Sequence, residues 1–442
     1  MKLSCKFIAL LLLVAIIPMA ASSQTAAVEK RLKSTTMDFI EVYNTGDTGV
    51  YRKFLKSKIT RAELEDKLHR FNNTWHSIGK VALKEIVIVD NLHAQAIVQE
   101  NHFGSWWRFT VQTDTNQQFL NRTVLPIPMP ESGIQNGILK HTEIISKLDR
   151  YIIDTLKSEF AGNVFISEQG RVFYNKSFGQ DKNGNPNVAS SEFGLASSAK
   201  LFTTIAIMQL KDQGKLALDD KVTKLLPQLK NPVYKQITIA QLLTHSAGLG
   251  DFFENPSYKE GETDIDDRET ALKFIENTDI VFSVGTDFRY SNTGFLLLGL
   301  IIEQVSSMRF GDYVNQHIFI KAKMTHTKSG NGAGGGSSTV SDLVSFFSSL
   351  NRSRLLSSQS TRDLLNFIFR DNYGYGSEHH LLGEEHIFGH SGGFINQCVE
   401  LNFYPRSKRL VIILSNSNPP FGHFLSNKIK SLLIRKPIIL KK

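Results

Sequence analysis

In the stretch FGLASSAKLFTTIAIMQL (Phe193–Leu210) a serine and a lysine stand three residues apart at the mouth of an otherwise almost wholly apolar helix. Residues at that spacing share one helical face, one turn apart, so a helix beginning near Ser197 projects Ser197 and Lys200 into the same space. A hydroxyl is a weak nucleophile until a neighbouring base relieves it of its proton. A lysine can be that base when burial and nearby positive charge favour the neutral amine. The helix N-terminus also leaves the backbone amide of Ser197 free to meet a developing oxyanion. The chemistry this pattern fits is acyl transfer; the plainer alternative is a lysine that is merely a charge near a helix end.

Two further short patterns carry reactive side chains, Tyr290-Ser-Asn292 and His390-Ser391-Gly392-Gly393, spaced 93 and 100 residues on from the preceding motif. Each pattern also occurs a second time in the chain, as Ser77-Ile-Gly-Lys80, Tyr313-Val-Asn315 and His102-Phe-Gly104. Pattern alone therefore decides nothing, and context must. Ser197 opens an apolar helix, the tyrosine motif lies in a loop after Gly285 and before another apolar helix, and the histidine motif lies on strand-like sequence.

The elements that must position these residues can be read from periodicity. The segment EIISKLDRYIIDTLKSEF has helical spacing, and NVFISEQGRVFYNKSFG reads as a hairpin about a Gln-Gly turn. Beyond the Ser197 helix, which Gly214 can end, NTGFLLLGLIIEQV is apolar nearly all round, as a helix inside a large domain should be. CVELNFYPRSKRLVIILSN reads as two strands joined at Pro405. Strands at both ends with helices between them predict one sheet assembled from early and late segments. Ahead of this lies a different texture, from Gln24 to Ile134: a helical pair and then the strand-like runs KVALKEIVIV, HAQAIVQEN and SWWRFTVQTD. Pro126, Pro128, Pro130 and Gly133 mark a linker after it.

The flanking words LASSAKLFTTIAIMQLKDQGKLALDD, QLLTHSAGL, FRYSNTGFLLLGLIIE and FGHSGGF, with the three motifs in that order, resemble the serine β-lactamase and penicillin-binding-protein group over about Asp149–Ser426. Within it the likeness is to the branch holding class C β-lactamases, D-alanyl-D-alanine carboxypeptidases and related esterases and D-aminopeptidases. The resemblance implies an α+β fold: an antiparallel sheet flanked by helices, with an all-helical subdomain. It implies Ser197 as nucleophile of an acyl-enzyme, Lys200 as general base and Tyr290 as a proton relay. Asn292 would bind the substrate amide or Lys200, and His390 and Ser391 would line the substrate site. The backbone amides of Ser197 and Gly393 would form the oxyanion hole. One departure is informative: a histidine stands where class C β-lactamases carry lysine, and a mostly neutral imidazole anchors a substrate carboxylate weakly. The first unit resembles NTF2-like cone domains. The expected organisation is thus a signal peptide over 1–23, an accessory α+β domain over 24–134 and a hydrolase domain over 135–442. The rival readings are a promiscuous carboxylesterase and a non-catalytic binding or scaffold protein on the same fold.

Composition sets the frame. The chain has 442 residues, 41% hydrophobic and 21% charged, which suits two folded units rather than a disordered chain. Lys2 and Lys6, the apolar run Phe7–Ile17, Pro18 and then small residues have the order of a secretory leader, so an exported, periplasmic or secreted protein is expected; an uncleaved anchor is the alternative. Without the leader Cys398 is the sole cysteine, leaving no internal disulfide. The net charge of +9 is concentrated partly in the last fifteen residues, which could lie on an anionic envelope surface or form a helix with a solvated face. No nucleic-acid motif accompanies that charge. The expected partner is a small-molecule or peptide substrate. Oligomeric state is not encoded. No cofactor or metal is expected: the histidines and glutamates of EHHLLGEEHIFGH (Glu378–His390) lack the HExxH pattern. His245 is expected in a hydrogen-bonded turn, NGAGGGSST as a flexible wall of the site, Trp106 and Trp107 as one half-exposed and one buried strand residue, and Cys398 in the core.

Overall fold

The computed structural model describes residues 7–55, 61–101, 106–127, 139–370, 372–382 and 385–433. The chain divides into two compact units, one of residues 1–138 with 427–442 and the other of residues 139–426.

In the first unit three helices, α1 (Phe7–Thr45), α2 (Thr48–Phe54) and α3 (Arg61–Ile78), precede four strands: β1 (Val81–Ile88), β2 (His93–Glu100), β3 (Trp106–Thr113) and β4 (Phe119–Ile127). The strands pair in sequence order, each antiparallel to the next. Alternation along β3 turns Trp107, Phe109 and Val111 inward and leaves Trp106 half-buried. Phe39 stacks on Phe119 with ring centres 5.0 Å apart, Tyr51 stacks on Phe71 at 4.3 Å, and Tyr43 meets Phe109 edge-on at 4.9 Å. These aromatics are buried and fix the helices on the sheet face. Of the expected leader, residues 1–6 lie outside the described residues. Pro18 does not end the run, since α1 is helical from Phe7 onward. A proline inside a helix forfeits one backbone hydrogen bond, and the rest of the ladder carries the helix past it. The linker residues Pro128, Pro130 and Gly133 lie outside the described residues.

The second unit begins with α4 (His141–Arg150) and is built on a six-stranded antiparallel sheet. An early hairpin, β5 (Gly162–Glu168) and β6 (Arg171–Phe178), joins four late strands: β10 (Glu378–Leu382), β11 (Glu385–Phe394), β12 (Gln397–Tyr404) and β13 (Arg409–Ser415). The order is β10-β11-β12-β13-β5-β6, and Ile412 of β13 faces Phe165 of β5. This is the single sheet of early and late segments that the sequence predicted. β5 and β13 are almost entirely buried, so their apolar runs lack polar alternation. A smaller sheet, β7 (Phe193–Gly194), β9 (Gly334–Ser338) and β8 (Lys328–Asn331), lies beside the start of α5 (Lys200–Asp212). Every residue of α5 from Lys200 to Leu210 is buried, and Gly214 follows it at φ +69°, the left-handed position at which helices end. The Asn292–Ser306 helix is buried from Thr293 to Ile302.

Among the described residues no single helix is long and apolar enough to cross a membrane; one bent pair, Asn292–Ser306 with Phe310–Ala322, has the length and composition, and its first helix is core. Cys398 is fully buried on β12. Of the basic tail, Lys428 and Lys430 lie on the closing helix Phe421–Leu433, and residues 434–442 lie outside the described residues. Lys430 is buried, not on a solvated face, since a lysine stem is long and apolar enough to pack.

Candidate active site

Four elements bring the three motifs to one place. Ser197 lies on a single turn of 3₁₀ helix, Ala196–Ala199, that runs directly into α5, and Lys200 is the first residue of α5. Ala196 holds φ +45°, a left-handed conformation that costs a non-glycine residue energy and turns the chain sharply before the nucleophile position. The Ser198 hydroxyl ties this turn back to the Leu195 carbonyl at 2.7 Å.

The Lys200 side chain is wholly buried. Its Nζ lies 3.3 Å from Ser197 Oγ and 2.7 Å from Asn292 Oδ1, and it also contacts the Ala333 carbonyl oxygen. Burial lowers the amine's pKa from 10.5 to about 7, against an opposing pull from Asp251. A neutral amine has two N–H donors and one lone pair. The donors match the Asn292 and Ala333 oxygens, which leaves the lone pair for the Ser197 hydroxyl proton. The Nζ also sits over the faces of Tyr290 and Phe295, 4.9 and 5.5 Å from their centres.

Asp251 fixes that arrangement, and sequence reasoning passed it over. Its Oδ2 accepts from both the backbone and the side-chain nitrogen of Asn292, each at 2.8 Å. With Nδ2 so engaged, the amide oxygen of Asn292 must face Lys200. The only sequence signal was an acidic residue immediately after the THSAGLG segment.

Tyr290 is brought in by Ser291, which caps the Asn292–Ser306 helix by accepting from Gly294 N at 3.2 Å and donates to the Gly250 carbonyl at 2.6 Å. Among the described residues the buried Tyr290 hydroxyl has no partner at full hydrogen-bond geometry, although the Ser197 hydroxyl lies close enough to pull its pKa down. Burial dominates and raises its pKa, so it stays protonated.

The turn residue His245 proves to belong to this cluster. It sits at φ +53° and its ring centre is 4.3 Å from that of Tyr290. A buried chain runs from it: Ser291 N donates to His245 Nδ1 at 3.1 Å, and the Tyr373 hydroxyl lies 3.1 Å from His245 Nε2 and 3.0 Å from His390 Nε2. One proton assignment satisfies every member. His245 Nδ1 accepts, so Nε2 carries the hydrogen and donates to Tyr373 Oη; Tyr373 donates to His390 Nε2; His390 Nδ1–H donates to the Ser391 carbonyl. Both rings are then neutral. Burial holds the His245 pKa well below its usual value, and burial outweighs the attraction of Glu378 at His390.

On β11, Ser391 Oγ donates to Glu378 Oε1 of the neighbouring strand at 2.6 Å. Gly392 meets the Ser197 turn so closely that an added Cβ would stand 2.5 Å from Leu195 O and 3.2 Å from Ser197 N. Gly393, the expected oxyanion partner, is the next residue on β11, exposed and opposite Cys398 of β12. The NGAGGGSST segment does border the site, through the Ala333 carbonyl beside Lys200, and Gly334–Ser338 within it is a strand rather than a loop. Gly332 O accepts from Thr203 Oγ1 at 2.8 Å, and an added Cβ on Gly334 would meet the Ala196 carbonyl at 2.8 Å. Its glycines permit close packing onto the Ser197 turn.

The duplicate motifs are not drawn in. Ser77 and Lys80 flank the end of α3 in the first unit, Tyr313 and Asn315 lie on the helical turns Phe310–Val314 and Asn315–Phe319, and His102–Gly104 lie outside the described residues. In the Glu378–His390 segment His379 and His386 hydrogen-bond one another at 2.8 Å. Among the described residues no group of three or more His, Cys, Asp or Glu side chains converges as a metal site would require.

Comparison with known proteins places this geometry. The Beta-lactamase family model matches residues 149–434, well over half the chain. Penicillin-binding protein 4* of Bacillus subtilis (strain 168) is 34% identical over 178 residues, which cover 39% of this chain and 38% of that protein, so the chain spans about two fifths of the relative's length. Among solved structures, a penicillin binding protein from Bacillus halodurans superposes with a TM-score of 0.56 at 24% identity, covering 66% of this chain and all of that one. The D-amino acid amidase from Ochrobactrum anthropi SV3 superposes with a TM-score of 0.57 at 20% identity, covering 66% of this chain and 97% of that one. At these identities the two structures share the fold.

Proposed function

Because the chain belongs to the Beta-lactamase family, we propose that it is a serine hydrolase that acts on amides or esters through an acyl-enzyme on Ser197. The observation that carries this reading is Lys200: a wholly buried amine, its pKa lowered to about 7, 3.3 Å from the Ser197 hydroxyl. In the proposed reaction Ser197 Oγ passes its proton to Lys200 Nζ as Oγ adds to the substrate carbonyl. The carbonyl oxygen takes the negative charge and is met by the backbone amides of Ser197 and Gly393. The Tyr290 hydroxyl delivers its proton to the leaving group as the C–N or C–O bond breaks, and the proton held by Lys200 replaces it. Water then enters where the leaving group was, gives a proton back through the same groups, and releases the acid and Ser197. Asn292, oriented by Asp251, and the Ala333 carbonyl hold the amine's hydrogens away from Ser197, keeping the lone pair aimed at it. No step calls for a cofactor.

Peptides containing D-amino acids and peptidoglycan fragments are the substrates that fit the family resemblance best, and the lysine-and-apolar leader supports action outside the cytoplasm. Residues 24–134 are assigned an accessory role.

Labelling of the full chain with a fluorophosphonate probe tests the reading. The wild-type protein is expected to label at Ser197 and Ser197→Ala to lose the signal; equal labelling of both would refute the proposal.

A further inference from the structure

We propose that Glu378 makes the His390–Ser391 edge of the cleft select against substrates carrying a carboxylate there, and favour those that present an ammonium or an uncharged group. This rests on the serine-hydrolase reading above and names the substrate class of the same site.

Three features of the cleft lead to it. The hydroxyl of Ser391 has one proton, and that proton is donated to Glu378 Oε1 at 2.6 Å, so none remains for a substrate carboxylate. The imidazole of His390 cannot replace it. Its Nδ1–H is directed to the Ser391 carbonyl and its Nε2 receives the Tyr373 hydroxyl, which leaves the ring neutral and without a spare donor. The formal charge at this edge is then the Glu378 carboxylate itself. It lies 3.7 Å from His390 Nδ1, and 27% of its side chain remains accessible.

The surroundings do not reverse that sign. His380 Nε2 is 3.9 Å from Glu378 Oε2, beyond hydrogen-bond reach, and its attraction lowers the Glu378 pKa, which keeps the carboxylate ionised. The Arg289 guanidinium is engaged by Glu254 at 2.7 and 2.8 Å, and Asp251 adds a second carboxylate on the Lys200 side. An incoming ammonium would meet the Glu378 carboxylate and the lone pairs of Ser391 Oγ. An incoming carboxylate would meet like charge and no free proton, a penalty of about tenfold or more in kcat/KM at such separations.

Two thioester series measured on the full chain test this. One keeps the acyl group and varies the leaving thiol between cationic, neutral and anionic; the other keeps the thiol and varies charge on the acyl group. In at least one series the cationic or neutral member is expected to exceed the anionic one by about tenfold or more in kcat/KM. Glu378→Gln should shrink that ratio toward one, and raising salt to about 0.5 M should narrow it in the wild type. A merely structural role for Glu378 would lower all members alike and leave the ratio unchanged. Should Glu378→Gln fail to fold, the wild-type ratio and its salt dependence decide. Anionic members hydrolysed as well as the others in both series, or a ratio that salt and Glu378→Gln leave untouched, would overturn the proposal. Fluorophosphonate labelling of the same samples separates the two levels. Labelled Ser197 with a flat charge profile sinks only this inference, whereas absent labelling and absent turnover sink the hydrolase reading beneath it.

Discussion

The Tyr373 hydroxyl has no role in bond making, yet it decides the protonation of two histidines around the cleft. Removing it as Tyr373→Phe leaves the His245 Nε2–H without an acceptor and the His390 Nε2 without a donor, both in a buried site. The expected cost is about 1–3 kcal/mol of stability, readable in urea unfolding. The sharper readout is the tautomer of His390: ¹⁵N spectra of the imidazoles should show Nδ1-protonated His390 in the wild type and a mixture of forms in the variant. An unchanged tautomer would mean that the Ser391 carbonyl alone holds the ring. Asp251 acts one step further back, since it touches Asn292 and not the amine itself. Both residues stand outside the three motifs. Their importance comes from which side-chain atom faces which, and residue spacing carries no such information.

At the scale of elements, the sequence made much of the site legible. The apolar face of α5 with Lys200 at its first turn, the buried Asn292–Ser306 helix behind Tyr290, and the β12–β13 hairpin about Pro405 were all readable from periodicity. What stayed hidden was long-range pairing. Glu378 and Ser391 meet because β10 lies antiparallel to β11 with Glu378 opposite Gly389, and register between strands is set by packing across the sheet. The Gly334–Ser338 strand was hidden for another reason: glycine-rich sequence reads as a loop, whereas here the missing side chains let backbone press on backbone. The same logic gives a prediction at Gly392. An alanine there places its Cβ 2.5 Å from the Leu195 carbonyl and 3.2 Å from Ser197 N, so the Ser197 turn must move. Gly392→Ala is expected to lower the rate of Ser197 acylation by about a hundredfold while costing about 1–3 kcal/mol in stability, measured by probe labelling and by thermal unfolding. Wild-type acylation in that variant would show that the strand's close approach is dispensable.

For the molecule as a whole, every residue assigned to the chemistry lies within one unit, residues 139–426, and the price of its buried amine is borne by that unit's stability. Lys200 is protonated below 10.5 when unfolded and only below about 7 when folded, so between those values the unfolded state binds more protons. Stability from this group therefore rises with pH across that window and falls as pH drops from about 10 toward 7. Lys200→Met has no such group, and chemical denaturation should show its stability relative to wild type improving steadily as pH is lowered, by at most about 1.4 kcal/mol per pH unit. Parallel pH curves for the two proteins would place the lysine's folded pKa near its ordinary value. The most direct measurement is the pH dependence of Ser197 acylation by a fluorophosphonate probe. The rate should climb with pH through an inflection near 7 and level off above it, with the climb absent in Lys200→Met. A wild-type rate that keeps climbing to an inflection near 10, or a climb that Lys200→Met retains, would contradict a neutral Lys200 as the base.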